Sequence, residues 1–598
     1  MYYSTMRKTL VIALFIGLAF ALKAQPVTVY WDSLKGIKKS EANFTEGMQN
    51  GPFKIWYRDG KLAEQGFFNF GYQDSIWRNF YENGKLKALK KFKKGNPDGQ
   101  SIFFYSKGDT AEIETYTDGK KNGRWQTWFE NGNVSTITPY KNDLKDGKWI
   151  YYFVNGTIHN QGEFVNDKQE GHYVSWYSNG QKQREGDFSK NAETGTWQEW
   201  YPNGQLKTFT NHIDSTLYLM EYADSNGKKF ITNGNGTLTR YSAEGKVEAT
   251  GSYAGGLKSG LWKFYVKNGD EDYEAIFTAN KMNGAYSSFY PGNKIKSKGV
   301  YANGEKDGRW TFYFTSGKPK TIGDMHHNLR NGSWFYFTEN GDTDVKGYFK
   351  NDEEDSTWTY YYEGNVIWKQ GNYAHNLKTG EWTLWFPNGS VKEKGSYVDD
   401  KENGLWKAWY SNGQEENEGS YKACYVSLTQ SKQWRDSAWG SIMVGDWKGW
   451  YDNGKLKYQG QKANNLEEGH WIYYSDNGTM QREGNYKAGK KSGHWIFQQP
   501  TGIKIQEGDY KDDLLEGKCS FYDQYGVLVQ EQTLSAGKLS GKCTSYFSNG
   551  TVQSLTNYKI VTAKNGTTRS MPDGEWTYYD KNGKIEKRII YKDGERVE

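Results

Sequence analysis

The sequence predicts an all-β fold: an elongated antiparallel β-meander, a single-layer repeat sheet of about 21 hairpin units with a 24-residue period. Three observations predict it. A segment of the form Gly-x-Trp-x-x-aromatic-aromatic recurs at strict spacing. Asn-Gly follows it at a fixed offset. The 598 residues are also rich in aromatics (25 Trp, 47 Tyr, 29 Phe) and Gly (70) but hold only 10 Pro. That balance suits many short strands and tight turns. The aromatic excess argues against disorder, and the scarcity of branched aliphatics argues against a large α/β core.

The first 24 residues stand apart. Arg7 and Lys8 precede an apolar run, Leu10 to Leu22, and Ala24 sits just before Gln25. This is the layout of a secretory signal peptide cleaved after Ala24. The run is too short to cross a bilayer comfortably, and no later stretch is apolar enough to be a membrane-spanning helix. Losing Arg7, Lys8 and Lys23 lowers the formal charge from +6 to +3. The mature chain is thus near neutral, and no clustered basic face points to nucleic acid.

The repeat opener, Gly or its Ser substitute, falls at 51, 75, 99, 123, 147, 171 and 195. It resumes at 236, 260, 284, 308, 332, 356, 380 and 404, then at 445, 469, 493, 517 and 541, with one more at 574. The organisation follows: a cap segment 25–46, block 47–211, insertion 212–235, block 236–421, insertion 422–444, and block 445–598 with a nine-residue insertion near 558–573. Asn226-Gly227 in the first insertion suggests an added short hairpin. A propeller would need alternating pairs of units, which the copies do not show. A membrane barrel would need longer, less polar strands than the six or so residues expected here.

With the opener as position 1, Asn and Gly occupy positions 9 and 10, as at Asn131-Gly132 and Asn412-Gly413. Both residues tolerate positive φ, so a two-residue hairpin turn is expected there. A second turn follows, as at Asn303-Gly304. In that register position 7 opposes 12, and position 3 opposes 16. Position 3 is Trp in 14 copies and position 16 is Gly in 13, so each indole should cover a strand glycine. Positions 7, 12 and 18 would share that apolar face. Position 6 is aromatic in 20 copies and would form a lone aromatic row on the other face, amid polar residues.

Asp307-Gly308-Arg309-Trp310 before Phe312-Tyr313 resembles the MORN-repeat variant family, the group often labelled YwqK-type antitoxin proteins. Asp573-Gly574-Glu575-Trp576 with Tyr578-Tyr579-Asp580-Lys581-Asn582-Gly583 is similar to it as well. The resemblance covers about residues 47 to 598 and departs at Ser101, Leu238, Cys519 and Cys543, where Trp is missing. It implies an elongated β-sheet that serves as an interaction surface, with no catalytic residues to transfer. The antitoxin label fits poorly, because export would separate the chain from a cytoplasmic toxin.

The residues suggest no catalytic, cofactor or metal site. His172, His470 and His494 share position 2, which reads as a tolerated surface position, and His326-His327 has no second ligand pair. Glu185, Glu418, Glu483 and Glu507 share position 15 and are expected to pair across strands with Lys or Arg. A glycosidase would need one distinctive carboxylate pair, which repetition does not supply. Cys519 and Cys543 stand where Trp is missing, and Cys424 lies in an insertion. Without CxxC, the three thiols form neither a zinc motif nor a disulfide framework.

The expected function is therefore a non-enzymatic repeat scaffold that binds a protein partner in the cell envelope or outside the cell. It would be periplasmic, surface-associated or secreted. The candidate surface is the position 6 row, Trp128, Trp176, Trp200, Trp385, Trp409 and Trp450, with Trp434 and Trp439 of the second insertion. The alternative is a carbohydrate or cell-wall binding protein, with rings spaced about 10 Å apart as sugar platforms.

Overall fold

A computed structural model describes residues 26–427 and 437–597. The expected signal peptide and Trp434 lie outside the described residues. Among the described residues are 51 strands and a single 3-10 turn, Glu363–Asn365. The chain divides into two compact units, Met1–Gly269 with Ile276–Lys281 and Asp270–Ala275 with Met282–Glu598.

In each unit, strands pair antiparallel with their neighbours in sequence. In the first, Lys182–Ser189 lies between Lys168–Trp176 and Ala192–Trp200. In the second, Val391–Val398 lies between Leu377–Trp385 and Lys401–Trp409. Contacts run between strands adjacent in this meander, so each unit is a single layer. The strands are longer than expected, 9 residues in Leu377–Trp385 and 8 in Val391–Val398. In the strand that carries the opener the extra length comes from the residues just before it, Leu377 to Thr379, which the sequence pattern had left to the connection.

The two turns differ from expectation in type and place. At the Asn-Gly turn of the copy opening at Gly380, Phe386 N–H donates to the Ser390 carbonyl and Gly389 N–H to the Phe386 carbonyl, both at 2.9 Å. Only Gly389 is left-handed, with φ 83°, while Asn388 is not. This is a type I turn closed by one left-handed residue, not a two-residue turn. The two-residue turn with both φ positive lies at positions 20 and 21, as at Asp399 (46°) and Asp400 (66°).

Two irregularities then set the faces. Leu384 pairs with Glu393 but Trp385 pairs with Val391, so position 13 is bulged out of register. Position 6 therefore opposes 12, and 12 moves to the face of position 6. The second irregularity lies where the next strand meets position 16. Lys394 pairs with Lys407 and Ser396 with Asn403, leaving Gly395 against the opener segment. There the opener is left-handed, at φ 82° in Gly404. That requirement explains the recurrent Gly, and Ser75 and Ser356 adopt the same conformation at 62° and 57°.

The core is one face of the sheet. Trp382 is 1% exposed and Trp310 is fully buried. In the second unit Trp334, Phe349 and Trp358 form a cluster flanked by Phe312, Met325, Tyr336, Val345, Tyr360 and Tyr373, from positions 3, 5, 14 and 18. Lys378 at position 23 places its ammonium 5.1 Å from the Trp382 ring centroid.

The indole does not lie where the register alone suggests. Trp382 is opposite Gly395 in the ladder, yet its ring packs on Gly371 of the preceding copy, where a Cβ would stand 2.0 Å from Trp382 Cδ2. Gly395 is covered in turn by Trp406. Trp382 Nε1 donates to the Asn372 carbonyl at 3.1 Å, again in the preceding copy. An indole seated this way staples two copies. Burying 150–250 Å² of ring at about 25 cal/mol per Å² gives roughly 4–6 kcal/mol per staple. Where Thr138 occupies the preceding glycine position, Trp149 packs on its own Gly162 and its Nε1 has no partner. Cys519 and Cys543 are free and buried in place of the indole. Burial pushes the Cys519 thiol up to about 11.

Candidate interaction surface

The opposite face carries positions 2, 4, 6, 12, 15 and 17. Position 6 of one copy lies beside its own position 12, and the preceding position 12 lies on its other side. Trp385 pairs with Val391, Trp409 with Glu415, Trp450 with Leu456 and Trp200 with Leu206. The position 6 residues Trp128, Trp176, Trp200, Trp385, Trp409 and Trp450 are all half-buried. Within each unit they make a stripe in which aromatic and mostly aliphatic side chains alternate across the strands. The lone aromatic row expected from the sequence is corrected accordingly, and the aliphatics of position 12 are the residues that reading put on the wrong face.

Three bonds repeated between copies tie neighbouring hairpins together at the edges of this face. Tyr362 Oη at position 7 donates to the Trp385 carbonyl of the next copy at 3.0 Å. Asn388 at position 9 accepts from Ser390 N–H at 3.0 Å and donates through Nδ2 to the next copy's Ser411 carbonyl at 2.9 Å. Asp400 at position 21 accepts the preceding copy's Lys378 N–H through Oδ1 at 2.8 Å. Asn is therefore needed at position 9 for both ends of its amide rather than for positive φ. The same pattern joins Tyr177 to Trp200 and Asn179 to Pro202 in the first unit.

Polar pairs flank the stripe. Arg309 Nε contacts Asp324 Oδ1 at 2.5 Å, and Lys407 contacts Glu418 at 2.8 Å. His172 and His494 each meet a position 17 carboxylate at 3.1 Å, Asp187 and Asp509. Of the position 15 carboxylates, Glu418 pairs across strands with Lys407, Glu185 and Glu507 use Lys182 and Lys504 of their own strands, and Glu483 meets His470 at 3.7 Å. Lys504 and then the Tyr522 hydroxyl hold the Glu507 carboxyl below its usual value. Burial and that carboxylate push Tyr522 up to about 12. His326 and His327 face Asp307 and Glu305 separately. Among the described residues no group of three or more His, Cys, Asp or Glu could hold a metal ion. No helix among them is long and apolar enough to cross a membrane.

The insertions preserve the ladder. Residues 212–235 fold as a shortened copy: Thr216–Ala223 pairs with Lys229–Thr232 across the Asn226-Gly227 turn. Tyr201 Oη reaches the Ala223 carbonyl and Asn203 Nδ2 the Ser225 carbonyl, as in full copies. Residues 27–45 also continue the meander, Val27–Tyr30 pairing with Lys38–Thr45. The second insertion instead lengthens one hairpin into an arm, Glu415–Ser427 with Ser437–Trp450. Trp439 sits on that arm, away from the stripe, with Nε1 donating to the Asp399 carbonyl at 3.2 Å.

A model of the MORN repeat variant matches eleven segments: 49–69, 73–94, 121–142, 169–190, 193–208, 282–303, 378–399, 443–461, 467–488, 539–559 and 572–593. No curated protein matches the chain. Among solved structures, the TcdB2-TccC3-Cdc42 complex is similar at 10% identity over 94% of this chain, with a TM-score of 0.12. This chain spans only 32% of that one. The extracellular domain of the one-component system BT4673 of B. thetaiotaomicron is similar at 10% identity over 91% of each chain, with a TM-score of 0.11. Likenesses that loose carry no weight for fold or function.

Proposed function

The chain belongs to the MORN-repeat family, and from that premise we propose that this repeat scaffold is exported, non-enzymatic and bound to a partner protein. The stripe of positions 6 and 12 is the surface it offers. One observation carries this reading: the same aromatic–aliphatic stripe recurs on one face, copy after copy, between rows of charged pairs. An apolar centre with Trp and Tyr anchors inside a polar rim is the anatomy of a protein–protein interface. The bonds between copies fix the anchors before a partner arrives, which lowers the ordering cost of association. Arg7, Lys8 and the run from Leu10 to Leu22 support export. On this reading the partner belongs to the envelope or the outside of the cell.

A crosslinking pull-down from the envelope fraction, with the mature chain as bait, tests this. A partner retained by the wild type and lost from Trp385→Ala with Trp409→Ala supports the reading. Equal capture by both baits would overturn it. Glycan binding is the second reading, but the stripe weakens it. An aliphatic alternates with most rings, and Lys182 Nζ lies 5.6 Å from the Trp200 centroid, over the face a sugar would need. Binding to insoluble glycan that disappears in the same double variant would favour it instead.

A further inference from the structure

We infer that the arm Glu415–Ser427/Ser437–Trp450 pairs two copies of this chain, through the open backbone edge at Trp439 and Ser441. The arm runs past its neighbours. Lys401–Trp409 pairs with the arm's first strand only as far as Tyr421, and Leu456–Ala463 pairs with its second only from Gly445. Beyond those points a two-stranded ribbon continues, Tyr425 opposite Trp439 and Ala423 opposite Ser441.

Backbone direction follows from two hydrogen bonds. Met443 N–H donates to Asn465 Oδ1 at 2.7 Å and its carbonyl accepts from Asn465 N–H at 3.2 Å, so both groups point away from the arm's first strand. Backbone direction alternates along a strand, so the N–H and carbonyl of Ser441 and Trp439 point the same way. Ala423 N–H, directed to Asn403 Oδ1 at 3.2 Å, confirms the alternation from the opposite edge. Among the described residues nothing pairs with the Trp439 and Ser441 backbone groups. On the other edge Ala423 N–H is held by Asn403, and the Trp439 indole and Ser441 hydroxyl cross that strand to Asp399 and Glu402.

Such an edge accepts only an extended polypeptide, because only a strand presents donors and acceptors in matching alternation. Its composition selects a second copy. Edges are normally blunted by charge, as in the hairpin Val552–Thr562 with Thr568–Pro572, where Lys538 caps the Thr568 carbonyl and Lys559 pairs with Asp573 and Asp593. Here Lys422 is the one charge among residues 420–427 and 437–444. Antiparallel pairing about a two-fold axis at Gly440 sets Trp439 against the partner's Ser441, and Ser441 against the partner's Trp439. Each pair exchanges two bonds, and no like charges face each other.

The test is sedimentation of the full chain from low to high micromolar concentration, with hydrogen exchange read at Trp439 and Ser441. The expected result is a dimer that grows with concentration and protects those two amides in parallel. Ser441→Pro removes one outward N–H, and Ala438→Lys keeps every N–H but adds charge. Each should weaken dimerisation at least tenfold while the strands of the neighbouring copies exchange as before. A monomer throughout, or a dimer that neither variant weakens, would overturn the inference. So would protection of both amides independent of concentration, or protection gained only on adding envelope extract, which would assign the edge to a foreign strand.

Discussion

Replacing Gly371 by Ala separates a staple between copies from a contact within one hairpin. The added methyl would overlap the Trp382 ring, 2.0 Å from Cδ2 and 2.2 Å from Cε2. The indole is 1% exposed and bonded to the Asn372 carbonyl, so it cannot shift without losing both burial and that bond. Overpacking costs about 1–3 kcal/mol and the bond about 1 kcal/mol, giving about 2–4 kcal/mol in all. At about 1.4 kcal/mol per factor of ten, opening of this copy should rise roughly 30- to 700-fold. Hydrogen-exchange mass spectrometry over Ile367–Ala374 and Leu377–Trp385 reads that change locally, which suits a repeat protein that need not unfold as one unit. The decisive step is the double-mutant cycle. In a Trp382→Ala background, Gly371→Ala should cost almost nothing, while Gly395→Ala keeps its full cost because Trp406 covers that site. Coupling of Trp382 to Gly395 instead of Gly371 would refute the staple.

Three further outcomes follow from single residues. Asn388→Ala removes the bonds to Ser390 N–H and the Ser411 carbonyl, so it should loosen the turn by about 1–2 kcal/mol, seen as faster exchange in both copies. Ser356 holds φ 57°, so Ser356→Gly should stabilise its copy by up to about 1 kcal/mol, measured by the same exchange. Glu507 has its folded value depressed below 4.5. Its contribution is therefore present above 4.5 and fades as pH falls through the folded value, so protection of Lys504–Lys511 should drop in acid. Glu507→Gln should remove that dependence.

Much of this architecture was legible in the residues. The period, the hairpins and the Trp–Gly core face follow from residue types at fixed offsets, because indole, Gly and Asn-Gly each have narrow structural uses. Three features were not legible. The bulge at position 13 has no residue signature: Lys392 or Lys457 would suit either face, and so Val391 and Leu456 were put on the wrong side. The lean of Trp382 toward Gly371 is a matter of side-chain direction, which ladder register does not encode. The amide of Asn388 reads as a turn former, yet its second bond lies 23 residues away. The stripe depends on the change of face at position 12, and Trp439 belongs to the arm.

The face of positions 6 and 12 is proposed to bind a protein partner. Crosslinking mass spectrometry in the native envelope tests it most directly, by the lysines that capture the partner. The prediction is crosslinks from Lys394, Lys407 and Lys448, at positions 15 and 4 beside Trp385, Trp409 and Trp450, lost in Trp385→Ala with Trp409→Ala. Crosslinks from Lys378, which covers Trp382 on the opposite face, unchanged by that variant, would contradict it.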